Sequence, residues 1–299
     1  MKNLIITLSV AIIAFSSCGQ VKEYDNSFIR FHIYGKGEPV FILSGGPGND
    51  CHQEEDVAIK IGEKYRAILL EQRGTGLSMP PELNKYTINL DAFIKDILFV
   101  MDSLKITKAK FYGHSWGAMY ASAFAVQYPN KVSSLVFTGT GYMKLDTTYF
   151  NKIFNNRMAK LSNEQRQRFY QLNKIQQQNM TAAEQNESAN LRATFNTYDT
   201  TNQEWKFAKI KKGPTNQKTN ELMMEDLKRI NFDLTQQLKT LKMPISIITC
   251  KEDPLALLTT EYKKYAPQAT IQWLDKCGHF PMYEQPDKFY PLLMGALDR

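Results

Sequence analysis

The stretch Lys108-Ala-Lys-Phe-Tyr-Gly-His-Ser-Trp-Gly-Ala-Met-Tyr120 constrains this chain more than any other. Within it, Gly113-His114-Ser115-Trp116-Gly117 reads G-x-S-x-G. An apolar strand runs into the pattern, and a helix of small residues, Ala118 to Tyr128, runs out of it. Strand, tight turn and helix together make a nucleophile elbow. The glycines allow so sharp a turn that Ser115 is held in a strained conformation, its hydroxyl exposed at the strand's end. The bare pattern also fits a plain strand-to-helix turn with a capping serine. The partners downstream decide for a nucleophile.

Upstream, Ser27 to Tyr34 alternates as a half-buried strand does, and Gly35-Lys-Gly37 is a hairpin-type turn. Pro39 to Leu43 is continuously apolar, the signature of a strand covered on both faces. It runs into Ser44-Gly45-Gly46-Pro47-Gly48, a loop whose uncovered backbone N–H groups can face an anion. Glu54 to Lys64 is expected as a helix and Tyr65 to Leu70 as a second buried strand. A further glycine-rich loop follows, Glu71-Gln-Arg-Gly-Thr-Gly-Leu-Ser78. Leu90, Phe93, Ile94, Ile97, Leu98, Met101 and Leu104 form one helical face. Ser134 to Thr138 is the strand after the elbow helix. Strands and helices in alternation argue for a parallel sheet.

The character changes after Gly141. From Tyr142 to Leu241, 24 of 100 residues are Asn or Gln, and no buried-strand run occurs. Phe150, Ile153, Phe154, Met158, Phe169, Tyr170 and Leu172 carry too much apolar weight for a disordered linker. Residues 142–241 therefore read as a helical cap over the sheet, with Leu222 to Ile230 as one of its helices. The core occupies 27–141 and 242–299. It resumes with strands at Met243 to Thr249 and Thr270 to Leu274, and helices at Thr259 to Tyr265 and Gln285 to Leu297.

A serine hydroxyl needs a base within hydrogen-bond reach and an oriented partner behind that base. Of the four histidines, His32 lies in a strand, His52 in a loop and His114 inside the elbow. His279 follows the last strand at the sheet's carboxyl edge and is the expected base. Asp253, after the penultimate strand, is the expected acid, with Glu252 as its rival. Ser115, Asp253, His279 is the chain order of the α/β-hydrolase triad. Open α/β sheets place their sites at this carboxyl edge. The N–H groups of Trp116 and Gly46 are the expected oxyanion donors. No cofactor is called for, and no C-x-x-C or His/Cys cluster suggests a metal.

Three motifs converge on one family. Gly45-Gly46-Pro47-Gly48, Glu71-Gln72-Arg73-Gly74-Thr75-Gly76-Leu77-Ser78 and Gly113-His114-Ser115-Trp116-Gly117 resemble the signatures of prolyl aminopeptidases (proline iminopeptidases), as do the loops with Asp253-Pro254 and Gly278-His279. The resemblance implies an α/β-hydrolase fold: a mostly parallel central sheet flanked by helices, with a helical cap insertion. It implies release of N-terminal proline or small apolar residues from short peptides. A small-ester hydrolase with the same triad is the alternative, and a non-catalytic tethered binding protein a remote one. Ser44 stands where the family has His, Glu71 where it has Asp, and Cys250 where Gly is usual. The family holds the substrate's amino terminus with acidic cap residues. Glu184, Glu187, Glu204, Glu221 and Glu225 are the candidates.

The first residues read as a targeting segment. Met1-Lys2-Asn3 gives the positive start, and Leu4 to Phe15 is apolar but short for a membrane span. Ser16-Ser17-Cys18-Gly19 resembles the lipobox of bacterial lipoproteins. Residues 1–17 would be the signal peptide and 18–26 a tether, with Cys18 carrying lipid and the protein exported and membrane-anchored. An ordinary secretory peptide cut near Ser17 is the alternative. In an exported chain, Cys51, Cys250 and Cys277 leave at least one thiol unpaired. Cys250 and Cys277 lie at late strands and either pair or remain buried thiols. The net charge of +7 sits largely in the cap, which holds 16 Lys/Arg against 10 Asp/Glu. Such an excess reads first as solvated helix faces, second as a surface for an anionic lipid or acidic ligand. No aromatic-interleaved basic motif argues for nucleic acid.

Overall fold

The computed structural model describes residues 20–24, 27–199 and 215–299. Cys18 and Glu204 lie outside them, as does the proposed signal peptide. Eight strands form one sheet in the order β1-β2-β4-β3-β5-β6-β7-β8. They are β1 (Gln20–Tyr24), β2 (Ser27–Tyr34), β3 (Pro39–Leu43), β4 (Arg66–Leu70), β5 (Ala109–His114), β6 (Val132–Thr138), β7 (Ile245–Cys250) and β8 (Thr270–Leu274). From β4 through β8 all neighbours are parallel. β2 runs antiparallel to β4, and β1 antiparallel to β2. Residues 20–24, expected as part of a tether, thus add an edge strand. Their short run of mixed polarity gives no buried-strand signal, because an edge strand needs only one backbone partner.

The apolar runs behave as strands covered on both faces must. Phe41, Leu43, Ile68, Leu70, Phe111, Leu135 and Phe137 point into one core. Their alternating neighbours Val40, Ile42, Ala67, Leu69, Tyr112 and Val136 point into the other. The first core is covered by α2 (Leu90–Ser103) and α3 (Trp116–Gln127). The second is covered by α1 (Glu55–Gly62) and the C-terminal helix Pro286–Leu297. α3 is apolar on all sides and buried over most of its length, as a central helix built from Ala118, Ala121, Ser122, Ala123 and Ala125 can be.

Between β6 and β7 lie α4 (Thr147–Ala159), α5 (Asn163–Leu172), α6 (Ala182–Asn196) and α7 (Gln217–Arg229). Met158, Leu161, Phe169, Leu172, Leu191 and Phe195 make a small core of their own. Ile153 packs instead against Leu255 and Leu258 below. Phe154 and Tyr170 are exposed. α8 (Ala256–Tyr265), α9 (Pro281–Glu284) and α10 (Pro286–Leu297) complete the chain. No helix among the described residues is long and apolar enough to cross a membrane.

Candidate active site

β5 ends at His114 and α3 begins at Trp116, which leaves Ser115 alone at the turn with φ 56° and ψ −113°. A non-glycine residue holds such angles only when its surroundings over-determine them. The flanking glycines serve a different need from the one expected. Neither has a positive φ. A Cβ on Gly117 would lie 2.0 Å from the Leu43 carbonyl oxygen, and one on Gly113 2.5 Å from that of Gly117. The strain sits on the serine, and the glycines let β3, β5 and α3 meet.

The loops after β6, β7 and β8 converge beside this turn. The Ser115 N–H donates to the Thr138 carbonyl at 2.9 Å. The next residue, Gly139, has φ 53°, and a Cβ there would meet the His279 ring at 2.8 Å and Asp253 Oδ2 at 3.2 Å. His279 Nδ1 and Asp253 Oδ2 are hydrogen-bonded at 2.9 Å, both residues buried. The other Asp253 oxygen accepts the Leu255 N–H at 2.8 Å. Burial acts to raise the Asp253 carboxyl, but the charge and hydrogen bond of His279 outweigh it and hold it below the ordinary range. The His279 ring is pushed the other way: burial lowers its affinity for a proton more than Asp253 restores it. Among the described residues the Ser115 hydroxyl makes no hydrogen bond to this ring. Unliganded sites often hold such pairs loosely.

A second buried pair stands behind the first. His114 Nδ1 meets Glu54 Oε1 at 2.6 Å, and its Nε2 donates to the His279 carbonyl at 2.9 Å. The two imidazoles are 4.8 Å apart by centroid. Burial works against charge on His114, but the field and hydrogen bond of Glu54 raise its proton affinity above the ordinary imidazole value. Both ring nitrogens thus face acceptor oxygens, the Glu54 carboxylate on one side and the His279 carbonyl on the other, an arrangement that favours the protonated ring.

The loop after β3 is fixed by the loop after β4. Gln72 Nε2 donates to Ser44 Oγ at 2.8 Å, to the Gly45 carbonyl at 2.6 Å and to that of Asn49 at 3.0 Å. Arg73 anchors this loop in turn by forking onto buried Asp96, with Nε to Oδ2 at 2.9 Å. Burial pushes the Asp96 carboxyl up to about 6 against the pull of that guanidinium. Neither the Gly46 nor the Trp116 N–H donates a hydrogen bond among the described residues. Cys250 and Cys277 form a disulfide that ties the Asp253 loop to the His279 loop. That pairing was one of two readings open in the sequence.

The α4–α7 layer is bolted to the same loops. The His279 N–H donates to the Asn196 carbonyl at 2.6 Å, and Lys160 Nζ to that of Glu252 at 2.8 Å. Asn156 Nδ2 reaches the Pro254 carbonyl at 3.2 Å. Asn216 and Thr219 both reach the Gly74 carbonyl, and Asn220 that of Pro47. Sequence reasoning singled out Ser115, Asp253, His279, Gly46 and Trp116. It missed Glu54, the positioning contacts of Gln72 and the cap anchors, all of which depend on partners distant in the chain.

The family model for the alpha/beta hydrolase fold matches residues 38–286. The chain belongs to this family. Among α/β hydrolases, it is 26% identical over 281 residues to a proline iminopeptidase of Heyndrickxia coagulans, covering 89% of this chain and 93% of that one. It is 31% identical over 127 residues to epoxide hydrolase 4 of Mus musculus, covering 42% of this chain and 35% of the relative. A solved alpha/beta fold family hydrolase from Bacillus anthracis superposes with a TM-score of 0.71 at 19% identity. That superposition covers 93% of this chain and 99% of the other, and speaks for the fold alone. The protein is thus a hydrolase of the α/β-hydrolase superfamily, related to the prolyl aminopeptidases.

Proposed function

We propose that this α/β hydrolase is a serine hydrolase working through an acyl-enzyme. Ser115 attacks a carbonyl carbon while His279 takes its proton, and Asp253 holds and charges the imidazole. The tetrahedral oxyanion sits between the N–H groups of Trp116 and Gly46. His279 then protonates the leaving group, and a water deprotonated by the same ring cleaves the acyl-enzyme. The buried Asp253–His279 hydrogen bond at the sheet edge, beside the strained Ser115, carries this reading. Serine at the elbow speaks against an aspartate-nucleophile reaction of the epoxide-hydrolase kind. Ser115→Ala is expected to lower turnover of any accepted substrate by more than about 10,000-fold with the fold intact. Retained turnover in that variant would exclude the mechanism.

The substrate reading is release of N-terminal proline or small apolar residues from short peptides. The three motifs and the near full-length proline iminopeptidase relative support it. A second reading, hydrolysis of small esters, has its own support in the cap. Glu184 caps the start of α6, Glu187 pairs with Arg168, and Glu221 bonds Gln217, all on the surface. Among the described residues, the cap groups whose fields reach Asp253 are cations, Arg157 and Lys160. Cations there do not favour a substrate ammonium. Cleavage of proline β-naphthylamide ahead of p-nitrophenyl butyrate supports the peptidase, and the reverse order the esterase.

A further inference from the structure

Behind the Gly45–Asn49 loop lies a group of side chains that hydrolysis does not use. His32 on β2 meets Cys51 and His52, which open the 3-10 turn before α1. Each of the three offers one ligand atom, and these atoms lie within 4.8 Å of one another. His32 and Cys51 are buried, while the His52 side chain is 33% exposed. The imidazoles meet edge to face, centroids 5.5 Å apart. Cys51 is outside the disulfide, so its sulfur is available as a ligand.

The surroundings have the form of a metal site's outer shell. His32 Nε2 is held by Glu71 Oε1 at 2.8 Å, and His52 Nδ1 by Asp50 Oδ1. Both carboxylates are buried. A metal-bound imidazole ordinarily gives its second nitrogen to such a carboxylate, which fixes the ring and makes it a better ligand. An ion taking one nitrogen from each ring would leave the other for Glu71 and for Asp50.

We propose that His32, Cys51 and His52 form a binding site for a borderline-soft divalent ion, Zn2+. A mixed two-nitrogen, one-sulfur donor set selects zinc or copper over magnesium and calcium. On binding, the Cys51 thiol gives its proton to solvent and bonds as thiolate. Thiolate and two neutral imidazoles leave the ion one net positive charge, facing the carboxylates of Asp50 and Glu71. Ligands at about 2.0–2.3 Å from a tetrahedral zinc stand roughly 3.3–3.7 Å apart. Closing on the ion therefore takes movement on the order of 1 Å. The exposed edge of His52 is the entry path and the position for a fourth, water ligand. Glu71 also accepts the Leu77 N–H at 2.7 Å, and Asp50 directly follows the loop that Gln72 holds. The ion would brace the two glycine-rich loops from behind, separate from the reacting atoms.

The site was hidden in the sequence because a turn, a strand and a loop separate His32 from Cys51. To test it, the untagged protein is stripped with chelator, leaving the Cys250–Cys277 disulfide intact, and titrated with Co2+. The expected result is one equivalent bound, with tetrahedral visible bands and a near-ultraviolet sulfur-to-cobalt band that Zn2+ bleaches. Cys51→Ser should abolish the near-ultraviolet band. Asp50→Asn, which touches no ligand atom of the ion, should weaken binding roughly 10- to 100-fold. His52→Asn at the exposed edge, where folding is least at risk, should weaken it at least tenfold. Absence of the sulfur-to-cobalt band in the wild-type protein, its survival in Cys51→Ser, or unchanged affinity in His52→Asn would overturn the proposal.

Discussion

Glu54 is almost fully buried, and its carboxylate is matched to the one histidine adjacent to Ser115. The His114 ring it holds lies against the His279 ring and donates to that residue's own carbonyl. Burial discourages a second proton on His279, and positive charge on the adjacent His114 ring adds to that. His279 must be neutral to act as a base. Its proton affinity is held below the ordinary imidazole value of 6.5, so kcat/KM should fall only at pH below that value. Glu54→Gln takes away the charge that raises the proton affinity of His114 and so weakens this repulsion. The acid limb should then move to higher pH, with kcat reduced by up to about tenfold as the ring behind the base is held less firmly. A pH–rate profile identical to wild type would deny Glu54 this positioning role. The residue is silent in sequence because its partner comes sixty positions later, with nothing local to mark it. Ser115 is legible for the opposite reason: strand, turn and helix that strain it are contiguous.

At the scale of elements, sheet and elbow follow from local patterns. The runs at Pro39–Leu43 and Arg66–Leu70 have no polar face, and two cores cover them. Asp253 and His279 were legible through strand order, since parallel strands must deliver their loops to one edge. Whether Cys250 would meet Cys277 was not, because pairing depends on how closely β7 and β8 bring their ends together. With a sequence separation of 27, the crosslink should contribute about 3.5 kcal/mol by restricting the unfolded chain. Replacing both cysteines by serine is expected to lower stability by that order in urea denaturation. Turnover should fall as well, because the loops of acid and base are then joined only by non-covalent contacts such as the Asp253–His279 bond and the Lys251–Asp275 ion pair. The strand Gln20–Tyr24 escaped notice for want of an apolar run.

For the molecule as a whole, the sequence divides the chain by composition into an apolar sheet and an Asn/Gln-rich cap. The cap's helices are legible as amphipathic patches, but its hydrogen bonds to backbone carbonyls are not. Any amide or lysine can make such a bond, and only the assembled geometry says which does. Export and anchoring rest on the N-terminal pattern through Cys18. Fractionation of cells making Cys18→Ala should find the protein released from membranes that retain the wild type. Equal retention would mean that no lipid on Cys18 holds the protein at the membrane.

The bond from the His279 N–H to the Asn196 carbonyl, together with those from Lys160 and Asn156 to the acid's loop, has an evolutionary consequence. The segment that would choose the substrate also scaffolds the proton-transfer machinery. Exchanging it for a relative's lid would swap selectivity and dismantle the base's support in one stroke. A change of selectivity that keeps this chain active is therefore expected to come from side chains on the existing roof, not from replacing the roof.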